Sequence, residues 1–274
     1  MPERAATWII AAGGTRRAYI ADGGRLEKRE DLPGYFSWAE GVHRAMLEHV
    51  YALGVQSIIV SARLPTDRGP DYLMLAQRLM RDLVLGEVRR SWYAREQLRV
   101  RVAGDLDAIA EALQLDRQGI DELHTATAAG NRTLVYLFRG AWVDPAVEEA
   151  QWGYRLGQEL KRMPSREELA TAFYGVDLPP LQVAVGSGRP RYALLKAPFL
   201  AGTAECFWSA NSPLRLSRAD WARIAEELQA RRTEGGRSYE GIDQALLREE
   251  VVRRDGVIVG LGEQRLGMWF PATG

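Results

Sequence analysis

Short apolar runs of strand length recur along the chain, and a stretch with helical spacing separates most neighbours. The runs are Trp8–Ala12, Ser57–Ser61, Val100–Ala103, Thr133–Phe138, Leu181–Val185 and Glu205–Ser209. Between them apolar residues fall every third or fourth position, as in Phe36–Leu53, which Gly54 stops. The same spacing runs through Asp71–Gln97, Asp105–Leu115 and the stretch from Pro145 to Lys161. Asp105 or Asp107 is the expected cap of the second of these, and Ser165-Arg166-Glu167-Glu168 has capping-box spacing and opens a further helix. Ser217 to Arg232 and Tyr239 to Val252 follow as helices, with Gly235-Gly236 as the turn between them. Strands of this length alternating with helices imply βαβ units. The expected fold is therefore α/β: a single domain over 1–274 with about six strands in a mostly parallel sheet, flanked by helices. In such sheets ligands bind outside the carboxyl ends of the strands. That rule points at the loops after Ala12, Ser61, Phe138 and Val185.

Charge narrows the partners. Lys+Arg and Asp+Glu both number 36, so no net field draws the chain to nucleic acid or to an anionic membrane. An anionic substrate would have to be held by a local cluster. Cys206 is the only cysteine, which excludes an intrachain disulfide and a cysteine-based zinc site; a small apolar core residue is the expectation for it. Met1 to Thr7 lack the apolar core of a signal peptide, and no apolar stretch is long enough for a transmembrane segment. A cytoplasmic protein is expected. There is no G-x-x-x-x-G-K-[ST], no G-x-S-x-G and no H-E-x-x-H, and His43, His49 and His124 read as packed or solvated side chains. The D-D-x-x-D signature of the common terpene synthases is absent as well. Asp105-Leu106-Asp107 reads as a cap, not as part of a D-x-D-D acid motif.

One cluster stands out. After the first strand the chain reads Ala12-Gly13-Gly14-Thr15-Arg16-Arg17-Ala18-Tyr19. Glycines let backbone approach a ligand closely, and paired guanidinium forks bind phosphate oxygens bidentately. A turn carrying two solvated arginines is the competing reading of this segment taken alone.

Here the sequence resembles the cis-prenyltransferases, which carry D-G-x-x-R-W in the loop that holds the allylic diphosphate. Within them it is most similar to the tuberculosinol-type diterpene synthases. Gly14-Thr15-Arg16-Arg17 matches their D-G-T-R-R-W-F, and Tyr35 has a counterpart. Asp67-Arg68-Gly69-Pro70-Asp71-Tyr72 is similar to D-R-G-x-x-Y. Pro164–Glu168, Phe173-Tyr174-Gly175 and Gly267-Met268-Trp269-Phe270 fall in the matching order. The motif aspartate, however, is Gly13 and the motif tryptophan is Ala18. In the elongating members an R-x-S segment binds a second diphosphate; here Arg189 and Arg191 remain, but the serine position is Ala193.

The resemblance implies an isoprenoid diphosphate substrate, a homodimer, and a terpene synthase that ionises an allylic, bicyclic diterpenyl diphosphate. It assigns diphosphate binding to Gly13, Gly14, Thr15, Arg16, Arg17, Arg189 and Arg191. It assigns catalysis to Arg16, Tyr35 and Tyr72, with the tyrosines handling the proton of a capturing water. Phe36 and Trp38 read as packing aromatics. Mg²⁺ is the family's metal, but with Gly13 in place of the aspartate no protein metal ligand is assigned, and Mg²⁺ would be carried mainly by the diphosphate itself. Chain elongation and a non-catalytic partner subunit are the alternatives, the latter because of Gly13.

Overall fold

The computed structural model describes residues 6–27, 31–63, 70–139, 145–188, 197–200, 204–210, 212–234, 262–265 and 268–271, together with 243, 245, 246, 248 and 249. Six parallel strands form the central sheet: β1 (Thr7–Ala11), β2 (Ser57–Arg63), β3 (Leu98–Ala103), β4 (Arg132–Arg139), β5 (Leu181–Ser187) and β6 (Glu205–Ser209). Their spatial order is β3-β4-β2-β1-β5-β6, and every pairing between neighbours is parallel. All six expected strands are present. A two-stranded antiparallel ribbon of β7 (Gly262–Arg265) and β8 (Met268–Pro271) stands apart from this sheet.

Alternation along the strands builds the core. Trp8, Ile10, Ile58, Val60, Val100, Val102, Leu134 and Tyr136 point to one face. Ile9, Ala11, Ile59, Ala103, Val135 and Leu137 point to the other. Both sets are buried, because helices cover both faces of a parallel sheet. The first face carries α2 (Leu32–Tyr51), α4 (Glu87–Arg95), α5 (Leu106–Leu113), α6 (Arg117–Ala126) and α9 (Arg218–Glu234), the last anchored by the fully buried Trp221. The second carries Ala170, Phe173 and Tyr174 of α8 (Arg166–Tyr174) and, at its margin, Trp152 of α7 (Pro145–Leu160).

Several boundaries differ from the sequence pattern. The expected Asp71–Gln97 helix is two: α3 (Pro70–Leu85) and α4, broken where Gly86 adopts an extended conformation (φ −58°, ψ 144°). The expected Asp105–Leu115 helix stops at Leu113, with Gln114 in the left-handed region; Asp116 then caps α6 by accepting from Gln118 N. Asp105 caps α5 as expected, and the Ser165–Glu168 capping box is formed on both sides. Cys206 is exposed rather than in the core, because β6 is the edge strand and none of its residues is fully covered. The expected Tyr239–Val252 helix and the Gly235-Gly236 turn lie almost wholly outside the described residues. No helix among the described residues is long and apolar enough to cross a membrane.

His124 of α6 accepts a hydrogen bond at Nε2 from Val102 N (2.9 Å), which joins the helix to β3. That bond requires a neutral ring. Burial, with Arg101 nearby, lowers the His124 pKa to about 4 from an ordinary value of 6.5. The unfolded chain therefore takes up the proton first as pH falls. The stabilisation is complete above about 6.5 and is lost progressively as pH drops towards 4. His43, also held neutral by burial and by Arg89, acts in the same direction. The melting temperature should fall between pH 7 and pH 4.5, and His124→Gln should flatten part of that fall. An unchanged slope in the variant would remove His124 from the account. In the sheet core, Ile9→Ala should cost about 2–5 kcal/mol in denaturant unfolding, since Ile9 is completely buried.

Candidate functional site

The strand order contains one reversal. From β1 the chain passes to β2 on one side, whereas from β5 it passes to β6 on the other. β1 and β5 are hydrogen-bonded neighbours whose connections diverge, and such a switch point opens a crevice outside their carboxyl ends. Of the four loops the sequence singled out, those after β1 and β5 flank this crevice.

The loop after β1 turns at once. Gly13 N donates to Ala11 O (2.8 Å), and Gly14 caps α1 (Thr15–Ala21) in the left-handed region at φ 75°, where a side chain would be strained. Arg16 and Arg17 are half-buried on this short helix, and Ala18 is fully buried beneath it. Ser187, the last residue of β5, stands beside Gly13. A Cβ on residue 13 would lie 2.6 Å from Ser187 Oγ.

Thr15 connects the loop to the next element. Its Oγ1 lies 2.7 Å from the hydroxyl of Tyr35, and either atom can be the donor. α2 begins at Leu32, four residues earlier than the apolar pattern indicated, which places Tyr35 in its first turn. The Tyr35 ring is buried and central to an aromatic group. It meets Tyr19 edge-on (5.4 Å between centroids), lies 5.9 Å from Phe36, and stacks on Trp38 at 6.3 Å. The Tyr19 ring lies so close over Gly24 that a Cβ there would be 2.4 Å from it. Ala39 of α2 and Leu79 and Leu83 of α3 extend the apolar surface away from the loop. Asp22, the nearest carboxylate in sequence, accepts from Trp38 Nε1 (3.0 Å) and pairs with Arg215 (3.1 Å), so it braces α1.

Beyond Leu83 the packing becomes polar. The Tyr93 and Tyr136 hydroxyls lie 2.9 Å apart and 2.8 and 3.0 Å from Leu83 O, so their two protons are shared among three contacts, with at least one phenol donating to Leu83 O. Burial raises both phenol pKa values, so both stay protonated. Arg89, fully buried, donates through Nη2 to Glu40 O (3.0 Å) and meets His43 Nδ1 at 3.1 Å. Its Nε lies 3.2 Å from Glu40 Oε1, in a charge pairing whose geometry falls outside a hydrogen bond. This network ties α2, α3, α4 and β4 together at one end of the aromatic surface.

The structure thus brings together Gly13, Gly14, Thr15, Arg16, Arg17 and Tyr35. Tyr72 lies in the first turn of α3, with its side chain outside what is described, and Arg189, Arg191 and Ala193 lie outside the described residues. Sequence reasoning passed over two residues: Tyr19, although an aromatic two positions after Arg17 was a signal, and Ser187, within Gly-Ser-Gly at a strand end. The described residues do not fit a protein-held Mg²⁺. Position 13 has no side chain, Asp22 is engaged elsewhere, and no group of three or more His, Cys, Asp or Glu is placed to ligate a metal among them.

No family model matches the chain. It is 23% identical over 276 residues to (+)-kolavelool synthase from Herpetosiphon aurantiacus, covering 98% of this chain and 90% of that protein. Among solved structures it resembles a probable undecaprenyl diphosphate synthase from Campylobacter jejuni. That match has a TM-score of 0.56 at 17% identity and covers 84% of this chain and 96% of the other. It equally resembles lavandulyl diphosphate synthase from Lavandula x intermedia, solved in complex with dimethylallyl diphosphate. There the TM-score is 0.56 at 14% identity, with coverage of 83% and 94%. At such identities the structures speak for the fold. Six parallel strands in one helix-flanked sheet, matched over more than four-fifths of the chain, make this the cis-prenyltransferase fold.

Proposed function

We propose that the chain is a diterpene synthase that ionises an allylic, bicyclic diterpenyl diphosphate and captures the carbocation with water or a small acceptor. The observation that carries this reading is the 2.7 Å contact between Thr15 and Tyr35. It joins a Gly-Gly-Thr-Arg-Arg loop, suited to an anion, directly to an aromatic wall, suited to a cation. The likeness to (+)-kolavelool synthase over nearly the whole chain supports a diterpene substrate.

The chemistry separates charge. The allylic C–O bond breaks, its electron pair leaves with the diphosphate, and the hydrocarbon becomes a cation. Arg16 and Arg17 meet the growing negative charge with fixed donors, which lowers the barrier. Tyr35, Tyr19 and Trp38 present π faces to the cation, and the buried surface towards Leu79 and Leu83 limits stray water. When water attacks, its oxygen forms the new C–O bond and a proton must leave. Tyr35 takes that proton as it passes its own through Thr15 Oγ1 to a diphosphate oxygen, so every proton and charge is accounted for. Arg189 and Arg191 add diphosphate contacts in this reading, and Tyr72 is the second candidate for the proton. Any Mg²⁺ travels with the diphosphate.

Arg16→Ala and Arg17→Ala should each lower turnover by about 10²–10³ while leaving the melting temperature unchanged. Full activity in both variants would remove the diphosphate from this loop. Products from geranylgeranyl and bicyclic diterpenyl diphosphates, each with and without isopentenyl diphosphate, test the reaction. One diphosphate alone should give an alcohol or adduct, with the larger loss in Tyr35→Phe or Tyr72→Phe marking the proton carrier. Longer chains appearing only with isopentenyl diphosphate would establish elongation. No pyrophosphate release from any substrate would establish the partner-subunit reading that Gly13 favours. The proposed homodimer should give twice the chain mass by light scattering at micromolar concentration, and a monomer would refute it.

A further inference from the structure

The helix that carries both arginines, α1, is seven residues long, too short to hold its direction by itself. What it lies against therefore decides where Arg16 and Arg17 point. Thr15, Tyr19 and Asp22 recur at i, i+4 and i+7 and share one face of the helix. Each of them meets the start of α2. Thr15 Oγ1 lies 2.7 Å from the Tyr35 hydroxyl. The Tyr19 ring centroid lies 5.4 Å from those of both Tyr35 and Trp38. Asp22, the C-cap of α1, accepts through Oδ2 from Trp38 Nε1 at 3.0 Å. Tyr35 and Trp38 are three residues apart on one face of α2, and their rings stack with 22° between planes. The two helices are thus joined by a hydrogen bond at each end of α1, with aromatic packing between.

Arg16 and Arg17 follow Thr15 at about 100° and 200° around the helix axis, off the docked face. The Thr15 bond alone would let α1 swing about its first turn; the Asp22 bond fixes the other end. Asp22 Oδ1 also pairs with Arg215 Nη2 at 3.1 Å, but both side chains are about one-third exposed and such a pair stabilises little. The indole bond carries the geometry. We propose that Asp22 is a positioning residue for the diphosphate-binding arginines: its bond to Trp38 fixes the far end of α1 and so sets the direction in which Arg16 and Arg17 are presented. Trp38 then affects the anion without touching it. The inference rests on the diphosphate reading of the Gly13–Arg17 loop. It gives the anion end and the aromatic wall one support, because a single carboxylate orients both α1 and the indole that stacks on Tyr35.

The test is calorimetric titration of the full chain with inorganic pyrophosphate in EDTA, with melting temperatures as the folding control. Pyrophosphate has no hydrocarbon, so any effect at Trp38 reaches the anion through α1. Asp22→Ala and Trp38→Phe should each weaken pyrophosphate about tenfold, the scale of one hydrogen bond to a charged group, with little change in melting temperature. Asp22→Asn keeps an acceptor for the indole and should retain most of the affinity. The double variant Asp22→Ala, Trp38→Phe should bind no more weakly than either single one, since both remove the same bond. Additive losses would overturn the inference, as would Asp22→Asn binding as weakly as Asp22→Ala. Lower melting temperatures with pyrophosphate affinity unchanged, alongside weakening in Arg16→Ala, would reduce Asp22 to a structural brace and leave the loop assignment standing. Absence of pyrophosphate binding by the unaltered chain would overturn the loop assignment and this inference with it.

Discussion

The loop that carries Gly13 to Arg17 hangs from the carboxyl end of β1, and parallel hydrogen bonding on both of its edges holds β1 in place. β2 pairs with it from Thr7↔Ser57 to Ala11↔Ser61, and β5 from Trp8↔Val183 to Ile10↔Val185. Ile9 and Ile10 are completely buried on opposite faces, so a slip of one residue would exchange the two cores. The register is therefore strongly specified. It delivers Gly13 beside Ser187 and Thr15 beside Tyr35, a placement that loop residues could not hold by themselves.

From that anchor the site divides by polarity. On the sheet side lie two arginines and two hydroxyls; on the helix side lie the rings of Tyr19, Tyr35, Phe36 and Trp38. The Tyr35 phenol belongs to both, with its ring among the aromatics and its oxygen on Thr15. The Arg89–Glu40–His43 network braces the far side. A buried guanidinium is costly unless paired, and here it is paired by charge and by hydrogen bonds to α2, which makes the network a rigid support rather than a reactive centre.

Much of this was legible in the sequence. Strand-length apolar runs separated by helical spacing gave all six strands and their parallel arrangement, because burial on both faces leaves a plain hydrophobic signature. The place of the Gly-Gly-Thr-Arg-Arg loop was legible because it follows the first strand-length apolar run directly. Other features were not. Gly86 breaks a helix whose apolar spacing continues across the break, and periodicity does not register a change of direction. The edge position of β6, which exposes Cys206, depends on strand order, and order is a long-range property. Ser187 lies 174 residues from Gly13 in sequence and meets it only through the β1–β5 pairing.

In the reading proposed above, the diphosphate group binds at the β1–β5 switch point, against the loop that follows β1. A crystal structure of the chain with a non-ionisable thiolodiphosphate analogue of a diterpenyl substrate tests it most directly. Phosphate oxygens should lie within hydrogen-bond distance of Arg16, Arg17 and the Gly14 backbone, with the hydrocarbon directed past Tyr35 towards Leu79 and Leu83. A diphosphate bound at any other strand end, or a hydrocarbon lying away from the aromatic group, would contradict it.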